Sequence, residues 1–398
     1  MSQPISSIPK IEIYQRLVKL QQALVDQGLK GALLVQRADV YYFTGTAQDA
    51  HLWVPVQGEP VLLVRHSFER ARDESPLRDV RPFSRMSELP AQVGWSNVSE
   101  GGVIGLEMDV IPAERYLLYT RLFPAAEFTD VSPVIREIRM IKSEYEQTLI
   151  RQAAGLNDAM FAQVPAMLQE GLTELEFAGK VEAFLRAGGH QGAIRIRAFN
   201  QEVFYGHIMA GPSIAAAGVS VGPTGGSGPN PSYPQGASRR RIGRHEPVVV
   251  DTACAVDGYM VDQTRIFSLG KLDAAFYHAH RTALDIQAAL VRNAKPGVTG
   301  AAMYELALDL VQDCPYREGF MGYPRNVPFV GHGVGLELDE WPIFGRGFDR
   351  LLQPGMVVAL EPKFIFPGQG MAGIENTFLI DSGGLVKLTQ FPDEIIEL

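Results

Sequence analysis

The stretch VVVDTACAVDGYMVDQTRIF, Val248 to Phe267, decides the reading of the fold. Two apolar runs flank Asp257-Gly258, a dipeptide suited to the tight two-residue turn of a hairpin because it tolerates left-handed backbone. The stretch therefore predicts two antiparallel strands. Each carries an acid: Asp251 at the end of the first apolar run, and Asp262 eleven residues later. A carboxylate beside an apolar strand is costly unless something compensates it. Closing the hairpin brings the two acids together, where they repel, and a bound cation is the usual reason to tolerate such a pair.

The same pattern recurs downstream. In VGHGVG, Val330 to Gly335, glycines on both sides of His332 let backbone approach closely and leave the ring accessible. MVVALEP ends an apolar run on Glu361, and GIENTFLI places Glu375 in another. Taken singly, each has a plain explanation. A strand-end aspartate forms turns, a histidine can be satisfied inside a core, and a glutamate before Pro362 marks a strand exit. The ordered set of five points instead to a metal centre. Four carboxylates and one imidazole form a hard-to-borderline ligand set, suited to a pair of divalent ions such as Mn, Co, Fe or Zn.

Outward from this region the chain reads as two domains, as its 398 residues suggest. Upstream, Glu12 to Gln27 has a helical stripe at Ile13, Leu17, Leu20 and Leu24, closed by Gly28. Gly31–Val35, Pro60–Val64 and Gly102–Leu106 are apolar runs of strand length, and Pro112 to Phe123 reads as a helix with proline at its first position. Helices alternating with buried strands predict an α/β domain over residues 1–135. A helical region runs from Val134 to Gly189, with a capping box at Thr173 and Glu176. From Ala193 to Gly243 glycine, proline and serine dominate, and Ile214 to Gly236 reads as a long loop or hairpin. Helices over Ala274–Asn293 and Ala301–Asp313 precede a final run of strands, giving an α+β domain over residues 140–398.

Composition narrows the partners. The formal net charge of -9 argues against nucleic acid, and the short run Arg239-Arg240-Arg241 with Arg244 reads as a solvated turn or a loop gripping an anion. Two cysteines, Cys254 and Cys314, form no disulfide framework and fit a reducing compartment. The opening MSQPISSIPK has no apolar signal core, and no run reaches the roughly 20 residues of a membrane helix, so no membrane partner and a cytoplasmic setting are expected.

The series Asp251, Asp262, His332, Glu361, Glu375 resembles that of the pita-bread metallopeptidases: prolidase, aminopeptidase P and methionine aminopeptidase, peptidase family M24. IRMIKSE, Ile138 to Glu144, resembles the start of the family's domain-junction helix. YFTG, Tyr42 to Gly45, resembles a segment of its creatinase-like N-terminal domain. The resemblance implies a creatinase-like α/β domain followed by a pita-bread α+β domain, in a homodimer. It implies that Asp251 holds one ion bidentately, that Asp262 and Glu375 span both, and that His332 and Glu361 complete the other. Metal-bound hydroxide would then attack a peptide carbonyl, with Glu361 moving the proton. The expected activity is that of an Xaa-Pro dipeptidase or aminopeptidase acting on small peptides.

The substrate-contacting residues depart from that pattern. The family's histidines fall here at Pro234, seventeen residues before Asp251, at Pro328, four before His332, and at Asp339, seven after it. An arginine common two residues before the last glutamate is here Gly373. An ionised Asp339 cannot donate to an oxyanion, and a lost donor of that kind costs about 10²–10³ in rate. It would instead favour a cationic substrate group or orient a neighbouring base. His207, which alone reads as a loop histidine, and Tyr233 are the candidates to fill the vacated space. Two alternatives accompany the peptidase reading: a non-peptide hydrolase or lyase on the same fold, acting on a small substrate, cationic or not, and an inactive binding module.

Overall fold

A computed structural model describes residues 7–95, 101–219 and 222–398. The chain divides after Arg139 into two compact units.

The first unit is built on a six-stranded sheet. Its strands, in spatial order, are Asp79–Pro82, Val61–Val64, Ala50–Pro55, Gly31–Leu34, Gly102–Leu106 and Ala126–Asp130. The helix Lys10–Asp26 buries Ile13, Leu17, Leu20 and Leu24, the stripe read from the sequence. Thr44 ends the helix Arg37–Thr44, and Gly45 caps it at φ 79°, a conformation that favours glycine. The helix Ala113–Leu122 begins one residue later than expected. Pro112 is its N-cap, in extended conformation, rather than its first helical residue. Three strands of this sheet, Ala50–Pro55, Asp79–Pro82 and Ala126–Asp130, were not expected from the sequence. The last two are short, partly exposed and polar, so they carry little apolar signal.

The second unit surrounds its strands with the helices Glu144–Met167, Glu174–Ala187, Ala274–Asn293 and Gly300–Val311. Two of these open on complete capping boxes, Ser143 with Glu146 and Thr173 with Glu176, which satisfy backbone donors that the first helical turn leaves free. A five-stranded sheet runs Leu338–Gly345, Phe329–Val334, Val357–Leu360, Asn376–Ile380, Leu385–Lys387. A four-stranded sheet runs Ile396–Glu397, Tyr259–Ser268, Val248–Val256, Gly206–Ala210. A separate hairpin pairs Lys363–Phe366 with Gly370–Gly373. One core, including Phe276, Ile286, Val358, Phe364 and Met371, joins the helices to these sheets.

The decisive stretch is the expected hairpin, with Asp257 and Gly258 turning at φ 47° and 90°. One detail differs. Asp251 does not end a strand but lies within Val248–Val256, because the strand continues through Thr252 to Val256. Asp262 and His332 are likewise interior to strands rather than at strand ends or turns. The glycine-rich region contributes a single strand, Gly206–Ala210, among the described residues. Ile214 to Gly236 is a loop with no strand among its described residues, held by the Asn230–Tyr233 bridge and by backbone bonds such as Gly236 N to Gly225 O at 2.9 Å.

Candidate metal centre

Antiparallel register sets the first two acids. Asp251 pairs with Thr264, and Ala253 with Asp262. Directly paired residues share a face and side chains alternate along a strand, so both carboxylates project from the same face, one step apart on the diagonal. The neighbouring strand pairs His207 with Asp251, placing that histidine on the same face.

The second sheet brings the remaining groups. His332 pairs with Ala359, and Glu361 directly follows Val357–Leu360. Glu375 precedes Asn376–Ile380 and is tied to the hairpin by Thr264, whose hydroxyl donates to Oε2 at 2.8 Å. The Thr377 hydroxyl donates to the Asp262 carbonyl at 2.7 Å and accepts from the Asp262 amide at 3.0 Å, clamping the strands together. Arg265, fully buried, adds bonds to the Glu375 carbonyl at 2.9 Å and the Asn376 amide oxygen at 2.8 Å. Five bonds thus hold the strands that position two of the acids.

The five expected residues therefore converge on the floor of one cavity of about 300 Å³. His332 Nε2 lies 3.9 Å from Asp262 Oδ2, 3.7 Å from Glu361 Oε1 and 3.7 Å from Glu375 Oε1. Asp262, His332 and Glu375 offer ligand atoms all within 4.8 Å of one another. Glu375 Oε1 is buried with no hydrogen-bond partner. Burial, then the charges of Glu375 and Asp251, pushes the Asp262 carboxyl well above the usual carboxylate range. Burial likewise raises the Glu361 carboxyl, with Lys363 pulling against it. Burial alone would lower the His332 pKa, but Asp339, Glu375, Glu361 and Asp262 drive it well up. The cluster is short of positive charge, and the orphaned oxygen faces the imidazole. These residues fit a divalent ion.

A sixth residue, which sequence reasoning missed, stands among them. Lys363 Nζ donates to Glu361 Oε2 at 2.8 Å, Glu375 Oε2 at 2.8 Å and Asp251 Oδ2 at 3.0 Å. Its side chain is 1 % exposed. The signal was available: residues 361 and 363 bracket a single proline, and a lysine opening the apolar run Lys-Phe-Ile-Phe needs a buried partner.

The three suspected substrate residues separate. Asp339, at φ 63°, sets Oδ1 3.4 Å from His332 Nδ1. His207 lies on the strand Gly206–Ala210, half-buried, rather than on a surface loop. It meets Thr224 Oγ1 at 3.2 Å through Nδ1, its Nε2 has no partner, and burial lowers its pKa. It lines the metal-site cavity. Tyr233 does not: it lines an adjoining cavity with Leu175, Phe204 and Gln235. Ile196, Val203, Phe329, Leu338 and Ile343 make the apolar wall above the acids.

Residues 148–382 match the model of metallopeptidase family M24. The chain belongs to that family. Residues 16–141 match the creatinase/prolidase N-terminal domain. The chain is 27 % identical over 384 residues to the Xaa-Pro dipeptidase of Pyrococcus furiosus, covering 96 % of this chain and 99 % of that one. It is 28 % identical over 384 residues to that of Pyrococcus horikoshii, with the same coverage. The crystal structure of the prolidase from Pyrococcus horikoshii superposes with a TM-score of 0.78 at 26 % identity, covering 95 % of this chain and 99 % of that one. The Xaa-Pro dipeptidase of Bacillus anthracis superposes at 0.82 with 24 % identity, over 97 % and 100 %, a likeness of fold. The architecture is a creatinase-type α/β domain followed by a pita-bread α+β domain, and the protein is a metallopeptidase. The non-peptide and binding-module alternatives are not favoured. Among the described residues, no helix is long and apolar enough to cross a membrane.

Proposed function

We propose that the protein is a divalent-metal-dependent exopeptidase of the Xaa-Pro dipeptidase or aminopeptidase type, working as a cytoplasmic homodimer. The observation that carries this reading is the buried group of Asp262, His332 and Glu375, with Glu361 beside it, lining one cavity. A cavity of about 300 Å³ is at the lower end of the range for small-molecule sites, which suits a dipeptide better than a long chain.

A bound Mn, Co, Fe or Zn ion would polarise the scissile carbonyl and acidify water at neutral pH. The chain's own residues do the rest. Asp262, His332, Glu361 and Glu375 would hold the ion. The Gly333 carbonyl, 3.3 Å from His332 Nδ1, and the Asp339 carboxylate, 3.4 Å from it, keep Nε2 turned towards the other carboxylates, as partners of metal-bound histidines do. Glu361, with one oxygen towards His332 and the other on Lys363, carries the proton from nucleophile to leaving amine. His207 Nε2, buried and unpartnered, is the neutral donor for the tetrahedral oxygen in place of the family histidines that fall at Pro234, Pro328 and Asp339. The apolar wall takes the proline ring.

The test is turnover of a dipeptide library by protein loaded separately with Mn, Co, Fe and Zn. Metal-dependent cleavage of Xaa-Pro dipeptides is expected. With family donors missing, kcat/KM on Ala-Pro should fall below the 10⁴–10⁸ M⁻¹s⁻¹ usual for enzymes on their own substrates. Absence of amide cleavage with every ion would overturn the reading.

A further inference from the structure

The second ion has no vacant place. Family resemblance assigns that position to Asp251 together with Asp262 and Glu375. In the structure, Asp251 Oδ2 and Glu375 Oε2 both accept from Lys363 Nζ, at 3.0 and 2.8 Å. An ion bonded to those oxygens would sit about 2.0–2.2 Å from each, in the space the ammonium occupies, and would meet a like charge there. An ammonium has three N–H donors. All three end on carboxylates, the last on Glu361 Oε2. Lys363 is therefore a fully satisfied resident rather than a side chain passing by.

The seat for this lysine is built by backbone. Lys363 pairs with Gly373 across the hairpin. A Cβ at Gly373 would lie 2.7 Å from Lys363 Cα and 3.0 Å from its Cγ, so only glycine leaves the stem its path. Charge agrees with the geometry. Asp251, Asp262, Glu361 and Glu375 against one ammonium leave three negative charges. One divalent ion compensates two of them, whereas two ions would leave an excess of positive charge.

We propose that this is a one-ion site, in which Lys363 permanently takes the place of the metal ion at Asp251 and the single divalent ion binds at Asp262, His332, Glu361 and Glu375. The inference rests on the metallopeptidase reading for the presence of an ion, and fixes its number and place. It also sorts the acids: Asp251 serves the lysine, Asp262 serves the ion, and Glu361 and Glu375 give one oxygen to each.

Mn(II) stoichiometry by titration calorimetry and elemental analysis, with Mn(II) electron paramagnetic resonance, tests it on the full chain. The wild type should bind one ion per chain and give the hyperfine pattern of an isolated ion. Lys363→Ala should bind a second ion and give a spin-coupled signal. Asp251→Asn should keep one ion. Two ions, or none, in the wild type would overturn the proposal, as would loss of the ion in Asp251→Asn. A Lys363→Ala protein that folds yet stays at one ion also overturns it. If that variant does not fold, the wild type and Asp251→Asn still decide. Dipeptide turnover in the same samples keeps the two readings apart. One ion without turnover defeats the peptidase reading alone, and two ions with turnover defeats this one alone.

Discussion

At the His332 end of the acidic cluster, three ligand atoms face one another within 4.8 Å and a Glu375 oxygen has no donor. At the Asp251 end, 2.8–3.0 Å separates three carboxylate oxygens from an ammonium that satisfies them all. Both ends solve the same problem, buried negative charge, and Glu375 belongs to both with one oxygen each. One end leaves room for a cation from solution, and the other carries its cation on the chain. A ligand series read along a sequence shows where negative charge gathers. It does not show which positive charge answers it.

The contrast is broken most severely at the shared acids. Asp262→Asn or Glu375→Gln should remove the ion while leaving the chain folded. Loss of the ion's several kcal/mol of transition-state stabilisation corresponds to a fall of about 10³ or more in kcat. Elemental analysis beside a thermal melt checks this, and unchanged metal content would defeat the ligand assignment.

The lysine end is probed through its seat. Gly373→Ala forces its new Cβ against Lys363 and the Pro362 carbonyl, and overpacking of that kind costs about 1–3 kcal/mol. Denaturant midpoints would measure the loss; a neutral substitution would show that the hairpin yields freely. At the other end, Asp339→Asn keeps a residue tolerant of left-handed backbone but removes the charge beside His332 Nδ1. Metal affinity should weaken about tenfold, towards the lower limit for such outer partners, in a competition titration. The smallest effect belongs to Tyr233→Phe. Tyr233 lines the adjoining cavity, so kcat/KM should change by no more than about twofold, the scale of substitutions that touch nothing critical. A larger drop in steady-state assays would return Tyr233 to the substrate site.

Much of this centre was legible in advance, because strand periodicity and the Asp257-Gly258 turn fix which side chains share a face. The helices of the second unit were legible for a similar reason: capping residues at Thr173 and apolar stripes act locally. What escaped depends on contacts distant in sequence. Lys363 meets Asp251 across 112 residues, and a lysine after Glu-Pro reads as a strand-exit charge until those strands are assembled. His207 was misjudged as a loop residue because its strand is only five residues long and lies within a glycine-rich region. Short polar strands such as Ala126–Asp130 were missed because their register comes from neighbours rather than from an apolar pattern of their own.

The salt link at Asp251 bears on how the protein comes into being. A chain that folds before metal reaches it must bury several like charges, and uncompensated charge in a forming core opposes collapse. Here part of the counter-charge is encoded in the polypeptide and arrives with the hairpin that carries Lys363. No chelator or shortage of trace element can remove that portion. Asp251 is thus already paired with a cation of the chain when no metal is bound, and on the one-ion proposal metal supply matters only for the half of the cluster facing His332.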